Sequence, residues 1–485
     1  MDTLTGCVEN NLIEIKRRFD RDDTFILRTA VNRHDKKAVF HLAYCGGMID
    51  NAVVNEYIIG PLVNAETVDH KRPSAVAEEA LLSHFPKLTS SFIDLEEGIA
   101  SGDTVVLLPG GLEAVVLSTQ GFSLRGITEP DGEKILNGPR EGFSESLLGN
   151  LAMLHRRFRN GGLKIENRSI GRRTRTRVAV CYLEGVVRPE LLGELQARLD
   201  KIDIDGVLDT NTLNELIRDQ RRSPFRAAGV TERPDIVAGK LLEGRIALIA
   251  DGSPVVLTLP YLFVENFQSN EDYYVSFIHA SFARLLRIAA FFLTTVTPAL
   301  YICVVTSHYE ILPGPMLLNM ASEFQNTPFP AAFEAFFMIL VFDILREAGM
   351  RMPAGGGQAL SIVGALIIGQ AAVEARIVSP QMIIVAALTG ITGILLPKLD
   401  EACLTFRYLL LFCASLFGLF GLSAGVAAAV IHMQRLSSLT VPQFGGSRAE
   451  RKDSLIRAPL WMMDARPDRL SGNRRKMRLW RDGDA

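Results

Sequence analysis

Seven polar residues stand in or beside long apolar stretches of this chain: Glu334, Asp343, Arg346, Glu347, Gln370, Glu374 and Arg407. The surrounding segments decide their chemistry. Ser361-Ile-Val-Gly-Ala-Leu-Ile-Ile-Gly-Gln-Ala-Ala-Val373 is too rich in Gly and Ala for a soluble core and too long for a strand. A bilayer accounts for both features. Small residues let helices approach closely, and a charge kept in lipid needs a partner or a task. Two uses are open. The groups pair with one another and fix helix packing, as Arg346 would with Asp343 three residues earlier, or they line a path for an ion or ligand. Asp343 and Glu347 share a helix face at i,i+4, whereas Glu334, nine residues before Asp343, falls on the opposite face. The expectation is a local charge cluster of Asp343, Arg346 and Glu347 at a helix end, with Glu334 separate and deeper. The candidate set for ion passage or gating is Glu334, Asp343, Arg346, Glu347, Gln370 and Glu374.

Other chemistries find little support. The six Cys (7, 45, 181, 303, 403 and 413) have no CxxC or metal-ligand spacing and read as reduced structural thiols. The soluble half, residues 1–283, has no P-loop, no GxSxG and no dinucleotide fingerprint. Asp200, Asp203, Asp205 and Asp209 superficially resemble a calcium loop, but the position that needs Glu, 211, is Asn. They read as a solvated helix end and turn. The basic run from Arg156 to Arg177 lacks the aromatics of an RNA-binding surface, so a linker, subunit contact or membrane-surface patch is expected. No catalytic, cofactor or metal site is expected, and the chain reads as a non-enzyme.

The elements that hold these residues differ along the chain. Averages of 22% charged and 48% hydrophobic residues with a net charge of −2 describe a soluble protein of 485 residues. They hide two unlike halves. Residues 1–283 mix charge with apolar periodicity, 284–434 hold long apolar segments, and the tail from 445 has eleven Lys and Arg against six acids. The predicted fold is an α/β soluble half with two similar subdomains, followed by an all-α polytopic membrane domain. Its divisions are 1–150, 151–283, 284–434 (four or five helices, one re-entrant at most) and a basic cytoplasmic tail, 435–485. The duplication rests on Tyr-x-x-Gly endings at Tyr44–Gly47 and Tyr182–Gly185. It rests also on Gly102…Gly110 and Gly244…Gly252 around apolar strands, at offsets of 138 and 142.

Five apolar segments are marked: 285–307, 329–345, 358–375, 379–397 and 407–433. The N-terminus has no apolar segment to serve as a signal peptide. Arg284 and Arg287 precede the first segment and the loop 308–328 has no Lys or Arg, which places the soluble half and the tail inside. Both ends inside require an even count, so four crossings are expected. Arg346, Arg351, Lys398 and Arg407 then cannot all face inward.

In order, Gly138-Pro-Arg-Glu-Gly-Phe143, Arg233-Pro-Asp235, Asp251-Gly-Ser-Pro254, Glu271-Asp-Tyr-Tyr274, Pro328-Phe-Pro330, Arg346-Glu-Ala-Gly349, Ser361–Val373 and Val378-Ser379 run through most of the chain. With these motifs it resembles the A subunits of bacterial spore germinant receptors. Two departures stand out. The family usually has Gly where Arg376 stands, and Ser-Phe-Gly-Val-Pro-Tyr where this chain reads Ser438-Leu-Thr-Val-Pro-Gln443. The resemblance implies a non-enzymatic nutrient sensor subunit in the inner membrane of a dormant spore. It would work with a transporter-like B subunit and a lipoprotein C subunit, and self-associate into an ion-conducting channel opened by the germinant. A paralogous branch serves dipicolinic acid release. From the residues alone, a secondary transporter with a substrate site at Gly369-Gln370 is the competing class.

Overall fold

The computed structural model describes residues 3–66, 73–77, 86–121, 132, 133, 135, 137–324, 327–351, 357–446, 452–463 and 465–473. Its soluble half is built twice from the same order of elements. The first unit runs α1 (Val8–Arg18), β1 (Phe25–Val31), β2 (Val39–Cys45), α2 (Asn51–Val53), a π-helical turn, α3 (Gly60–Asn64), α4 (Pro73–Ala75), β3 (Lys87–Thr89), α5 (Phe92–Ser101), β4 (Thr104–Leu107) and β5 (Ala114–Leu117). The second runs α6 (Leu147–His155), β6 (Leu163–Ile170), β7 (Thr176–Leu183), α7 (Pro189–Leu199), α8 (Thr210–Ile217), β8 (Gly229–Thr231), α9 (Pro234–Leu242), β9 (Ile246–Ala250) and β10 (Val256–Leu259). The sheets are antiparallel with orders β1-β2-β4-β5-β3 and β6-β7-β9-β10-β8, which are the same topology. The two similar subdomains expected from the sequence are therefore present.

The repeated glycines explain why the pattern survives. Gly102 and Gly244 end α5 and α9 at φ 94° and 96°, a left-handed conformation that lets the chain reverse into the next strand. Central strands β4, β5, β9 and β10 are buried along their whole length, so each sheet is covered on both faces.

Beyond the soluble half come α10 (Phe277–Thr306), α11 (Gly314–Phe324), α12 (Ala331–Met350), α13 (Gly357–Glu374), α14 (Pro380–Ile394) and α15 (Asp400–Gln434), then a short hairpin of β11 (Ser437–Ser438) and β12 (Val441–Pro442). Phe277–Thr306 and Pro397–Gln434, of 30 and 38 residues, are long and apolar enough to cross a membrane.

The longer of these is not one rod. Gly418 has φ 57° and ψ −138°, outside any helix. The Phe406 and His432 rings lie 6.2 Å apart, although a straight helix would separate them by about 39 Å at ~1.5 Å per residue. A Cβ on Gly425 would sit 2.8 Å from Leu410 Cδ2. The helix is folded back on itself, with legs 400–417 and 419–434 of about 27 and 24 Å. The segment 407–433, read from sequence as one crossing, is part of this pair. Gly421 and Gly425 let the legs approach, as small residues do between apolar helices.

The bundle has two ends. Near the soluble half, Phe225 touches Phe406 and His432, one on each leg, and Phe267 packs on Phe291 of α10. At the far end Ser307, just past α10, lies against Gly418, and Tyr301, Ile302, Ala331 and Val378 share a cluster. Between these ends α10 runs outward and α12 returns. The return is marked by Ala331 at the far cluster and Arg346 beside Asp400. Leu345 meets Gly364 early in α13, and Ala372 lies at the far cluster, so α13 runs outward again. Thr392 bonds Thr294 at the end of α14, nearer the soluble half.

Candidate functional site

The turn Asn270–Tyr273 gathers a buried polar network that reaches three distant parts of the chain. Ser269 and Asp272 close the turn, Asp272 accepting from the Ser269 backbone N–H at 3.1 Å. Both oxygens of the same carboxylate then face α10. Arg284 Nε donates to it at 3.0 Å and Arg287 Nη1 at 3.0 and 3.1 Å. Arg284 is fully buried and Asp272 is 2% exposed. A buried guanidinium needs this pairing, because removing one partner leaves an uncompensated charge.

The neighbouring residues of the motif reach elsewhere. Tyr273 donates to Asp453 of the tail at 2.6 Å, and Arg284 donates to the same carboxylate at 2.9 Å. Tyr274 donates to Asp235 at 2.7 Å. Asp235 also accepts from Arg233 at 2.8 Å and Asn270 at 2.7 Å. Burial would raise the Asp235 carboxyl, but these donors, Arg233 foremost, hold it below its ordinary range. Burial and the adjacent carboxylate push Tyr274 up to about 12. Arg233 in turn donates to the Pro139 carbonyl at 2.8 Å. Three motifs far apart in sequence (138–143, 233–235 and 271–274) thus meet in one chain of bonds that ends on α10.

A second grip lies beside it. Glu265 accepts from Lys240 at 2.7 Å and pairs with Arg245. Burial opposes its ionisation, yet Arg245 and Lys240 hold its carboxyl down to about 2. Lys398, between α14 and α15, donates to the carbonyls of Glu265 and Gln268 at 3.3 and 2.9 Å. The tail 452–473 folds over this face: Arg466 donates to the Leu242 carbonyl, Gly472 to the Val186 carbonyl, and Leu470 is fully buried.

The expected charge cluster in the bundle takes a different form. Asp343 pairs with Arg407 at 2.6 Å and accepts from Tyr408 at 2.8 Å, whereas Arg346 pairs with Asp400 at 2.6 Å. Glu347 turns outward to Arg351. Partners on α15 win over the i,i+3 neighbour because they also join two helices. Glu334, 1% exposed, accepts from the N–H and hydroxyl of Ser379 at 3.2 and 3.0 Å. Its second oxygen makes no hydrogen bond. It stands apart from Asp343, by about 14 Å along α12 at ~1.5 Å per residue. Gln370 bonds Glu374 on an exposed face of α13. The structure does not bring these residues into one site.

Two features singled out in the sequence prove to be ion-paired with each other. Arg168, Arg172 and Arg173 meet Asp200, Asp203 and Asp205. Asp209 caps α8 and accepts from Ser253. The junction at 270–274 was visible only as a motif, since its partners at 235, 284 and 453 carry no local spacing.

Comparison with known proteins places this architecture. Residues 13–469 match the family described as "Bacillus/Clostridium GerA spore germination protein". The chain is 38% identical to spore germination protein KA of Bacillus subtilis (strain 168), over 96% of this chain and 87% of that one. It is 36% identical to the uncharacterized membrane protein YfkQ of the same organism, over 90% and 86%. It is 33% identical to spore germination protein GerLA of Bacillus cereus, over 87% and 88%. Among solved structures, the N-terminal domain of the A subunit of the Bacillus megaterium spore germinant receptor GerK3 is 29% identical. It covers 54% of this chain and 97% of that one, with a TM-score of 0.44.

Proposed function

The chain belongs to the Bacillus/Clostridium GerA spore germination protein family, and from that premise we propose that it is the membrane subunit of a spore nutrient-germinant receptor that couples germinant sensing to ion release. Family membership supports the receptor-subunit assignment, and the relatives' names are those of germination proteins, not enzymes. Apolar helices and a relative named as a membrane protein point to a membrane location. The observation that carries the coupling is the 270–274 turn. It holds Asp235 of the second α/β unit and Arg284 and Arg287 of α10 at once. A shift of the soluble unit is thereby transmitted to the first membrane helix.

The path of the bundle supports six crossings: α10, α12, α13, α14 and the two legs of α15. Each leg is close to the ~30 Å hydrocarbon thickness. The even count keeps the soluble half and tail together in the cytoplasm. The charges support this count: Arg284, Arg287, Arg346, Arg351, Lys398 and Arg435 then share the inner side, in line with the positive-inside bias, and Arg407 lies within the bundle, paired with Asp343. The outer segments 307–331 and 374–380 hold one such residue, Arg376. In this reading the receptor also contains a transporter-like B subunit and a lipoprotein C subunit, and copies of this chain associate around an ion path. Glu334 and the Asp343–Arg407 pair are its gating candidates.

Spores lacking this gene should lose ion release in response to at least one nutrient. Unchanged release for every nutrient tested would sink the reading. Purified protein in liposomes separates it from a secondary transporter, since a channel passes ions without a saturable substrate. Neighbouring genes for B-type and C-type subunits separate the receptor proper from the dipicolinic acid branch. Cysteine placed at Leu419 in a Cys-free variant should react with an impermeant maleimide from outside the cell.

A further inference from the structure

The seam between the two α/β units holds a cluster that the coupling path does not use. Asp22 lies in the loop before β1, Cys45 ends β2, and His155 ends α6 of the other unit. The Asp22 and His155 side chains are 1% and 2% exposed, and Cys45 is fully buried. One donor atom from each lies within 4.8 Å of the others. His155 Nε2 stands 3.5 Å from Asp22 Oδ2, too long for a hydrogen bond. It is close to the roughly 3.4 Å that separates ligands at the corners of a tetrahedron with ~2.1 Å bonds.

The two carboxylate oxygens are treated differently. Oδ1 accepts from the Thr24 N–H at 3.0 Å and the Thr24 hydroxyl at 2.7 Å, which fixes the carboxylate. Oδ2, aimed at the imidazole, makes no hydrogen bond, and His155 Nε2, the nitrogen facing it, lies 3.0 Å from the Thr24 hydroxyl. A buried acceptor left without a donor costs the free energy of its lost hydration, and native structures rarely tolerate it. A cation between carboxylate, imidazole and thiol removes that cost.

We propose that Asp22, Cys45 and His155 bind one divalent transition-metal ion of the zinc class, joining the two α/β units across their seam. Mixed sulfur, nitrogen and oxygen donors select a borderline-soft ion over calcium or magnesium. Burial holds the His155 imidazole neutral, the form that ligates, and holds the Cys45 thiol protonated. Binding therefore replaces the S–H bond with a sulfur–metal bond and releases that proton to solvent. The Thr24 hydroxyl or a water takes the fourth position. The clamp reinforces a contact in which the Asp23 N–H donates to the Ile165 carbonyl at 2.9 Å and the Ile165 N–H donates to the Arg21 carbonyl at 3.1 Å. Because the ligands sit 23 and 110 positions apart, no local spacing marks the site.

The test uses the full-length chain in detergent, stripped with a chelator and titrated with Co²⁺ as a coloured probe. One equivalent should bind with a near-ultraviolet thiolate-to-metal band, and Zn²⁺ should displace it while raising the melting temperature. Cys45→Ser should abolish the band, His155→Ala should weaken binding by at least about tenfold, and Cys181→Ser, which removes a neighbouring buried thiol, should keep it. Absence of the band in the wild-type protein would overturn the site whatever the variants do. So would its persistence in a Cys45→Ser protein that melts like the stripped wild type.

Discussion

Arg407 donates from a single nitrogen, Nη2, to both oxygens of Asp343, 64 residues earlier in the chain. Arg407 is 3% exposed, so this pair pins α12 to the first leg of α15 inside the bundle. Asp343→Asn should therefore destabilise the protein by about 3–5 kcal/mol, because it strands a buried cation. The protein level should fall, and the double variant Asp343→Leu, Arg407→Met should recover much of it. Immunoblots of the two variants beside the wild type decide, and wild-type levels for Asp343→Asn would refute the pairing's role.

Glu334 answers differently. Its carboxylate caps the start of α14 through Ser379 and has one oxygen to spare. Glu334→Gln keeps an acceptor for Ser379 and removes the charge. The expected result is a wild-type protein level with altered conductance or germination rate. Unaltered flux in liposomes would exclude Glu334 from the ion path.

Arg376 and Thr440 have φ of 53° and 66°, the left-handed region that non-glycine residues resist. Both stand where the resembling family has Gly. Thr440 sits in the two-residue turn between β11 and β12, a place that favours Gly or Asn. Thr440→Gly should stabilise the chain by roughly 1 kcal/mol, as should Arg376→Gly. Melting curves in detergent measure this, and a lower melting temperature for both would contradict the assigned strain.

Glu265 supplies a pH-dependent term. Its folded carboxyl is held down to about 2, below the ~4.3 of an unfolded Glu. The stabilisation is thus complete above the unfolded value and is lost as pH falls toward 2. Glu265→Gln should melt lower than wild type at pH 7, and the gap should close on acidification through that window. A gap independent of pH would show that the Arg245 and Lys240 pairings contribute nothing.

The duplicated α/β half was legible because turns write themselves locally. Gly47 and Gly185, like Gly102 and Gly244, must adopt positive φ, so they recur at nearly constant offset. The bundle was legible as apolar helices but not as a path. Gly418 is one Gly among several in a small-residue run, and the reversal shows only in its non-helical dihedrals and in contacts distant in sequence, such as Phe406 with His432. The ion pairs were misassigned for the same reason. Sequence proximity offered Asp343 to Arg346, whereas packing delivered Asp400 from 54 residues away.

The docked tail also fixes an order in time. Arg284 is synthesised with Asp272 twelve residues behind it, but its second acid, Asp453, is made 169 residues later. Every helix of the bundle is translated before that acid exists. A nascent chain therefore carries a half-neutralised arginine on α10 until Asp453 is made. A premature stop anywhere upstream of Asp453 leaves that defect permanent, so residue 284 registers whether synthesis has passed residue 453.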